Sequence, residues 1–251
     1  MACWLAAGAL ALSGCGVPGE PLPPLLDVPV AAEIRAVQRG SRALVAWAPP
    51  ALTTEGQAVR PEKLGPVEVY RAILPGLRAE VSSQEFKALA QRVAVLPALQ
   101  GEYSEELPAA DTGAGRTAAY ALRLLNRRGD SAGFSNVAAV PALAAPARPA
   151  ALGAQATERA VLLEWPAVAG AASYHLYKAE GENPLELAAG ADQPRHADQN
   201  FQFGRRYRYM VRAVAVEGAF RAESEDSPVA SILPEDVFAP AVPTDLVKNV
   251  P

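Results

Sequence analysis

The residues of this chain whose types could do chemistry are few and scattered. There are two histidines, His175 and His196, the second close in sequence to Asp192 and Asp198. A zinc site needs three or four converging ligands, usually dominated by His or Cys. Two histidines on different segments with no thiol nearby do not supply that, so neither a metal nor another cofactor is expected. Acids cluster at Glu105-Glu106 and at Glu223, Glu225 and Asp226. Both clusters read as solvated turns, whereas glycoside chemistry needs two carboxylates opposed across a cleft. No G-x-S-x-G, no H-E-x-x-H and no phosphate-cradling glycine loop is present. No catalytic residue and no enzyme activity are therefore expected. Arg128-Gly129-Asp130-Ser131 sets a cation and a carboxylate on a glycine-centred turn, although Gly-Asp is also ordinary hairpin chemistry. Tyr70, Tyr103 and Tyr177 are the aromatics that could stack on a sugar ring, and core packing competes for the same residues.

Both cysteines, Cys3 and Cys15, fall within the first fifteen residues. The remainder of the chain has no disulfide and no thiolate metal site to staple it. Residues 1–15, MACWLAAGALALSGC, form an apolar run too short to anchor stably across a bilayer. Its end, Leu12-Ser13-Gly14-Cys15, resembles a bacterial lipobox, although no Lys or Arg precedes the apolar run as in most signal peptides. That resemblance implies a lipoprotein signal peptide over 1–14, cleavage before Cys15, and acylation of Cys15 by chains such as palmitate. Several acyl chains hold a protein to a membrane stably, at about 0.8 kcal/mol per buried methylene. The partner implied is a lipid bilayer and the location a cell envelope. Gly16 in place of Asp implies the outer membrane where one exists. Residues 15–29 are Pro-rich and read as an extended stalk.

The elements that must position these residues are strands. Arg206 to Arg212 alternates, with Tyr207, Tyr209 and Val211 on one side and Arg206, Arg208, Met210 and Arg212 on the other. Period two predicts a strand with one buried and one wet face. Residues 116–125 repeat the pattern, Tyr120 matching Tyr209 and Arg123 matching Arg212. Upstream, Ala43–Trp47 matches Val161–Trp165, Trp47 answering Trp165, and Val67–Ala72 matches Tyr174–Ala179. The chain reads as one β-module written twice, over residues 30–142 and 147–233. Residues 234–251 form a Pro-rich tail or part of a third module. Within the first copy, a helical stretch over 82–92 shows Phe86, Leu89 and Ala90 at helical spacing, with Val93 just beyond it, behind a Ser82/Glu85 capping box. A short helix is expected there, inserted into the β-domain or covering a sheet edge. A length of 251 residues suits two domains, each with its own core. A net charge of −4 with no basic block argues against a nucleic-acid partner.

A strand ending in Trp, then Y-x-x-Y, then Y-x-Y-x-V resembles the fibronectin type III family across residues 30–233. The first copy departs in having Val67 for the first Tyr of Y-x-x-Y. The resemblance implies an all-β fold of two tandem immunoglobulin-like β-sandwiches, with Trp47 and Trp165 between the sheets. It also implies that Tyr207 bonds by its hydroxyl to nearby backbone, a bond missing where Ala118 stands in the first copy. In fibronectin's integrin-binding module, the tripeptide Arg-Gly-Asp occupies the same loop as Arg128, Gly129 and Asp130 here. The expected function is a non-enzymatic, membrane-anchored spacer or protein-interaction scaffold. The alternatives are an adhesin that binds a glycan or protein, with Tyr177 or the Arg128–Asp130 loop as contact, and the accessory part of an extracellular hydrolase.

Overall fold

The computed structural model describes residues 27–237. The expected signal peptide, the expected lipid-attachment residue Cys15 and most of the Pro-rich tail lie outside the described residues.

The first module runs β1 (Ile34–Arg39), β2 (Arg42–Trp47), β3 (Leu64–Leu74), α1 (Ser83–Leu89), β4 (Gln91–Leu96), β5 (Glu102–Glu106), α2 (Ala109–Gly113), β6 (Arg116–Asn126) and β7 (Ala138–Ala142). The second runs β8 (Gly153–Ala156), β9 (Val161–Glu164), β10 (Ser173–Glu180), β11 (Glu186–Ala191), β12 (Arg195–Asp198), β13 (Tyr207–Glu217), β14 (Phe220–Glu223) and β15 (Ala230–Ile232). In the first module β1–β2–β5 packs on β4–β3–β6–β7. In the second β8–β9–β12 packs on β11–β10–β13, with β14 and β15 both paired to β13. Alternation drives this layering. Ala43, Val45 and Trp47 point inward from β2 to meet Val67, Val69, Tyr120 and Leu122 of the facing sheet. Val161, Leu163 and Trp165 do the same against Leu176, Tyr209 and Val211. Each module thus closes its own core around one tryptophan, and the all-β sandwich expectation holds.

The register confirms the internal copy. Tyr120 lies opposite Arg71 and Arg123 opposite Glu68, while Tyr209 lies opposite Lys178 and Arg212 opposite His175. Gln202 N–H donates to the Tyr207 hydroxyl at 3.0 Å, the backbone bond expected of that tyrosine. Its counterpart Ala118 is fully buried without one.

Several expectations need correction. Helix α1 has the expected capping box, the Ser82 hydroxyl accepting from Glu85 N–H and the Glu85 carboxylate from Ser82 N–H. It covers a sheet face rather than an edge. Phe86 is fully buried against Ala72, Ala119 and Ala121 on the side of β3 and β6 away from the sandwich core. The helical pattern also ran too far, since Gln91 and Arg92 already belong to β4. Glu105 and Glu106 lie on β5 rather than in a turn, and His196 lies on β12. These strands are four and five residues long and rich in charge, so no apolar alternation marks them. Asp111 lies in the one-turn helix α2. The far face of β13 is not wet, because Met210, Arg212 and Val214 are all buried. The end of the expected stalk is docked. Val28 is buried, its carbonyl accepts from Thr54 N–H, and Asp27 pairs with Arg60 at 2.6 Å.

The modules meet edge to edge. β14 pairs in parallel with β1 at Arg39 and Glu223, so strands of both modules form one eight-stranded sheet. Gly40 N–H donates to the Glu223 carbonyl at 2.7 Å. Behind it, the Gln38 side chain donates to Leu143 O at 2.6 Å and accepts from Leu143 N–H at 3.0 Å. That bond fixes the start of the connecting segment to β1.

Candidate functional site at the seam between the modules

Glu223 ends β14 and serves both modules. Its carbonyl takes the Gly40 N–H, and its carboxylate turns onto the outer face of the second module's sheet. There His175 Nδ1 lies 2.5 Å away, and the Tyr177 hydroxyl donates at 3.1 and 3.2 Å. Arg212 Nη1 donates to it at 2.8 Å. Arg212 is itself buried. Its Nε donates to Asp226 at 2.7 Å, and its guanidinium sits 4.1 Å from the Tyr177 ring centre. Strand pairing places these groups. His175 and Tyr177 lie opposite Arg212 and Met210 on β13, and Glu223 lies opposite Val214.

The sequence just after Glu223 explains why the strand stops there. The Ser224 and Ser227 hydroxyls accept the N–H groups of Ala213 and Val211, at 2.9 and 3.0 Å. The serines stand in for missing ladder partners, so residues 224–229 bulge between β14 and β15. This segment is the expected acidic turn, and it forms part of the seam instead. Ser135 does the same for Leu122 in the first module, at 2.9 Å.

Electrostatics keep Glu223 and Arg212 charged. Burial pushes the Glu223 carboxyl up, but His175 and Arg212 outweigh it and keep it below the usual glutamate value. Burial, then the nearby Glu223 charge, raises the Tyr177 phenol. Burial acts to lower Arg212, and bonds to Asp226 and Glu223 more than restore it.

A second cluster recurs in both modules and ties the two sheets of each sandwich. Tyr209 donates to Asp198 on β12 at 2.7 Å, and Lys178 on β10 pairs with Asp198 at 2.6 Å. Tyr120 donates to Glu105 on β5 at 2.7 Å, and Arg71 on β3 pairs with Glu105 at 3.0 Å. Asp198 is lowered despite burial, because Lys178, Tyr209 and Asn200 N–H all bind its charged form. Burial and the Glu105 charge push the Tyr103 phenol up to about 12. General acid chemistry at a carboxyl needs a raised pKa. Glu223 and Asp198 are shifted the other way, which suits charge pairing rather than proton transfer.

The sequence-derived candidates disperse. Arg128, Gly129 and Asp130 sit in the exposed β6–β7 loop, with Gly129 at a φ of +90°. Asn126 organises this loop. Its Oδ1 accepts from Arg128 and Asp130 N–H, each at 2.9 Å, and its amide donates to the Asp130 carboxylate at 3.1 Å. Tyr177 is no open stacking platform, since Arg212 covers its ring and Glu223 holds its hydroxyl. Tyr70 packs edge-on against Phe134, and Tyr103 hydrogen-bonds to Glu105. The three tyrosines therefore do not form one surface. His196 and Asp198 are split by function, Asp198 being held by Lys178 and Tyr209. Among the described residues no group of three or more His, Cys, Asp or Glu is placed to hold a metal. Sequence reasoning missed the seam. The available signal was Met210 and Val214 alternating with Arg208 and Arg212, an apolar and cationic face rather than a wholly polar one.

No family model and no curated protein matches the chain. Among solved structures it is similar to the chicken CNTN1 FN1–FN3 domains, with 14% identity and a TM-score of 0.35. That match covers 82% of this chain and 66% of the other. It is also similar to an Fn3-like protein from Clostridium thermocellum, at 26% identity and a TM-score of 0.28, covering 34% of this chain and 91% of that one. The twitchin kinase region from C. elegans matches at 20% identity and a TM-score of 0.32, over 39% of this chain and 18% of that one. Each module stacks two sheets over its own tryptophan, three strands against four in the first and three against five in the second, so this chain is a tandem pair of β-sandwiches, and the solved structures it is similar to include fibronectin type III domains.

Proposed function

We propose that the chain is a non-enzymatic spacer and protein-interaction scaffold, held at a bacterial cell envelope by lipid on Cys15. The observation that carries the scaffold reading is the joint. Tandem domains usually move relative to one another unless a substantial interface holds them. Here a shared sheet and the Gly40–Glu223 backbone bond join the two modules, and the Gln38–Leu143 pair fixes the start of the connecting segment to β1. A braced pair keeps a fixed distance and presents loops in a fixed relation, which is what a spacer needs. The lipid reading rests on the Leu12–Cys15 motif and the Pro-rich stretch after it.

Fractionation and mass spectrometry test the anchor. The wild-type protein is expected in the membrane fraction with an acylated Cys15 as its first residue, and Cys15→Ala is expected to be released. Recovery of a wild-type soluble protein that keeps Met1 would overturn the anchor. Crosslinking in intact cells followed by affinity capture tests the scaffold role. A specific envelope protein crosslinked to the described surface is the expected outcome, and turnover of a substrate by the purified chain would sink the non-enzymatic reading.

A further inference from the structure

On one side of the seam lies an open cleft of about 690 Å³. β1 and β7 of the first module form one wall, through Val37, Arg39, Ala139 and Pro141. β10, β13 and β14 form the other, through His175, Tyr177, Arg212 and Arg221, with Leu185 at the side. Its volume is in the range of small-molecule sites, which combine apolar walls with a few placed polar groups.

Charge in this cleft is unbalanced. The chain is acidic overall, at −4, yet three arginines enter the cleft against one carboxylate, Glu223. That carboxylate is already committed to Arg212, His175 and Tyr177. Arg39 and Arg221 make no ion pair and no side-chain hydrogen bond among the described residues. Arg39 Nε is shielded from solvent and lacks a partner. A shielded donor left unsatisfied is costly, and proteins rarely keep one without a reason. The seam itself holds Arg39 there, since Arg39 is the β1 residue paired with Glu223.

We infer that this inter-module cleft is a binding site for a small organic carboxylate with an apolar body. The two terminal nitrogens of the Arg39 guanidinium offer the paired donors a carboxylate accepts, Nε itself being shielded. Arg221, exposed at the cleft mouth, supplies the second cation. Val37, Ala139, Pro141 and Leu185 supply apolar surface for the rest of the ligand. Arg212 is not available for this role, because Asp226 and Glu223 already neutralise it.

Calorimetric titration of the folded two-module protein with N-acetyl-L-leucine, N-acetyl-L-leucine amide and acetate tests the site. Saturable binding of N-acetyl-L-leucine is expected, with the neutral amide and the bodiless acetate each weaker by about tenfold or more. Arg39→Gln and Arg221→Gln should each weaken binding by a similar factor, and Arg159→Gln, on an exposed loop of the second module, should leave it unchanged. Arg221 is exposed on its strand, so its variant keeps the test valid if Arg39→Gln fails to fold. The inference is overturned if N-acetyl-L-leucine shows no saturable binding, if the amide binds equally well, or if Arg221→Gln binds like the wild type.

Discussion

Single side chains in this protein carry more than their exposure on a strand would suggest. Tyr209 and Tyr120 each donate a buried hydroxyl to an acid on the opposite sheet. Phe at either position keeps the ring and deletes the bond, and strands a carboxylate lone pair. We expect Tyr209→Phe to cost about 1–2 kcal/mol, read as a lower midpoint in urea unfolding. Tyr120→Phe should cost a similar amount, and the two should add, because they sit in separate cores. The paired acids also set the response to acid. Asp198 and Glu223 are both held below their ordinary values of 3.8 and 4.5. A carboxyl lowered by folding stabilises fully above its unfolded value and loses that contribution as pH falls through the folded one. Stability should therefore be flat above about pH 5 and decline below pH 4. Urea midpoints measured from pH 7 to pH 2.5 check this, and Asp198→Asn should flatten the acid limb while lowering the plateau.

At the scale of elements, the inserted helix is the chief difference between the copies. Residues 83–89 are too few to be stable alone. The capping box starts the helix and Phe86 pins it to the outer face of β3 and β6, leaving β6 buried on both sides. The second module has no such cover, and its corresponding face meets the seam through Arg212, Tyr177 and Glu223. The same fold thus disposes of the same sheet face in two ways. Phe86→Ala should cost about 3–5 kcal/mol, and Ser82→Ala about 1 kcal/mol. Differential scanning calorimetry should show both losses in the first module's transition, with the second module's unchanged. A shift of both transitions would mean the modules unfold as one unit.

At the scale of the whole molecule, the joint depends on Gly40. Its φ is +57°, a region where a β-branched residue is strained, and a Cβ there would lie 2.6 Å from Glu225 Oε1. Gly40→Val should strain the β1–β2 turn that delivers the N–H bonded to Glu223 O, displace the exposed Glu225 side chain and loosen the seam. Small-angle scattering should then give a larger radius of gyration and a broader distance distribution than the wild type, while both tryptophan cores remain folded by near-ultraviolet circular dichroism. An unchanged scattering curve would show that the remaining contacts at the seam hold the modules without that turn geometry.

Alternation along the chain determined most of what is local. The pairs Trp47/Trp165, Tyr120/Tyr209 and Arg123/Arg212 announced two copies of one sandwich, because a strand with a buried side must place apolar residues two apart. The capping residues Ser82 and Glu85 announced a helix, because a helix start needs those acceptors. Short charged strands such as Arg195–Asp198 escaped notice, since four residues with little apolar content carry no period. Only the tertiary structure decided that Glu223 faces Arg212, His175 and Tyr177, that Asp198 and Glu105 tie facing sheets, and that Arg39 is left without a partner. Those contacts join residues 11 to 48 apart in the chain, on strands whose pairing and packing the fold decides. A one-dimensional pattern records the face of a strand, not the neighbour that comes to lie against it.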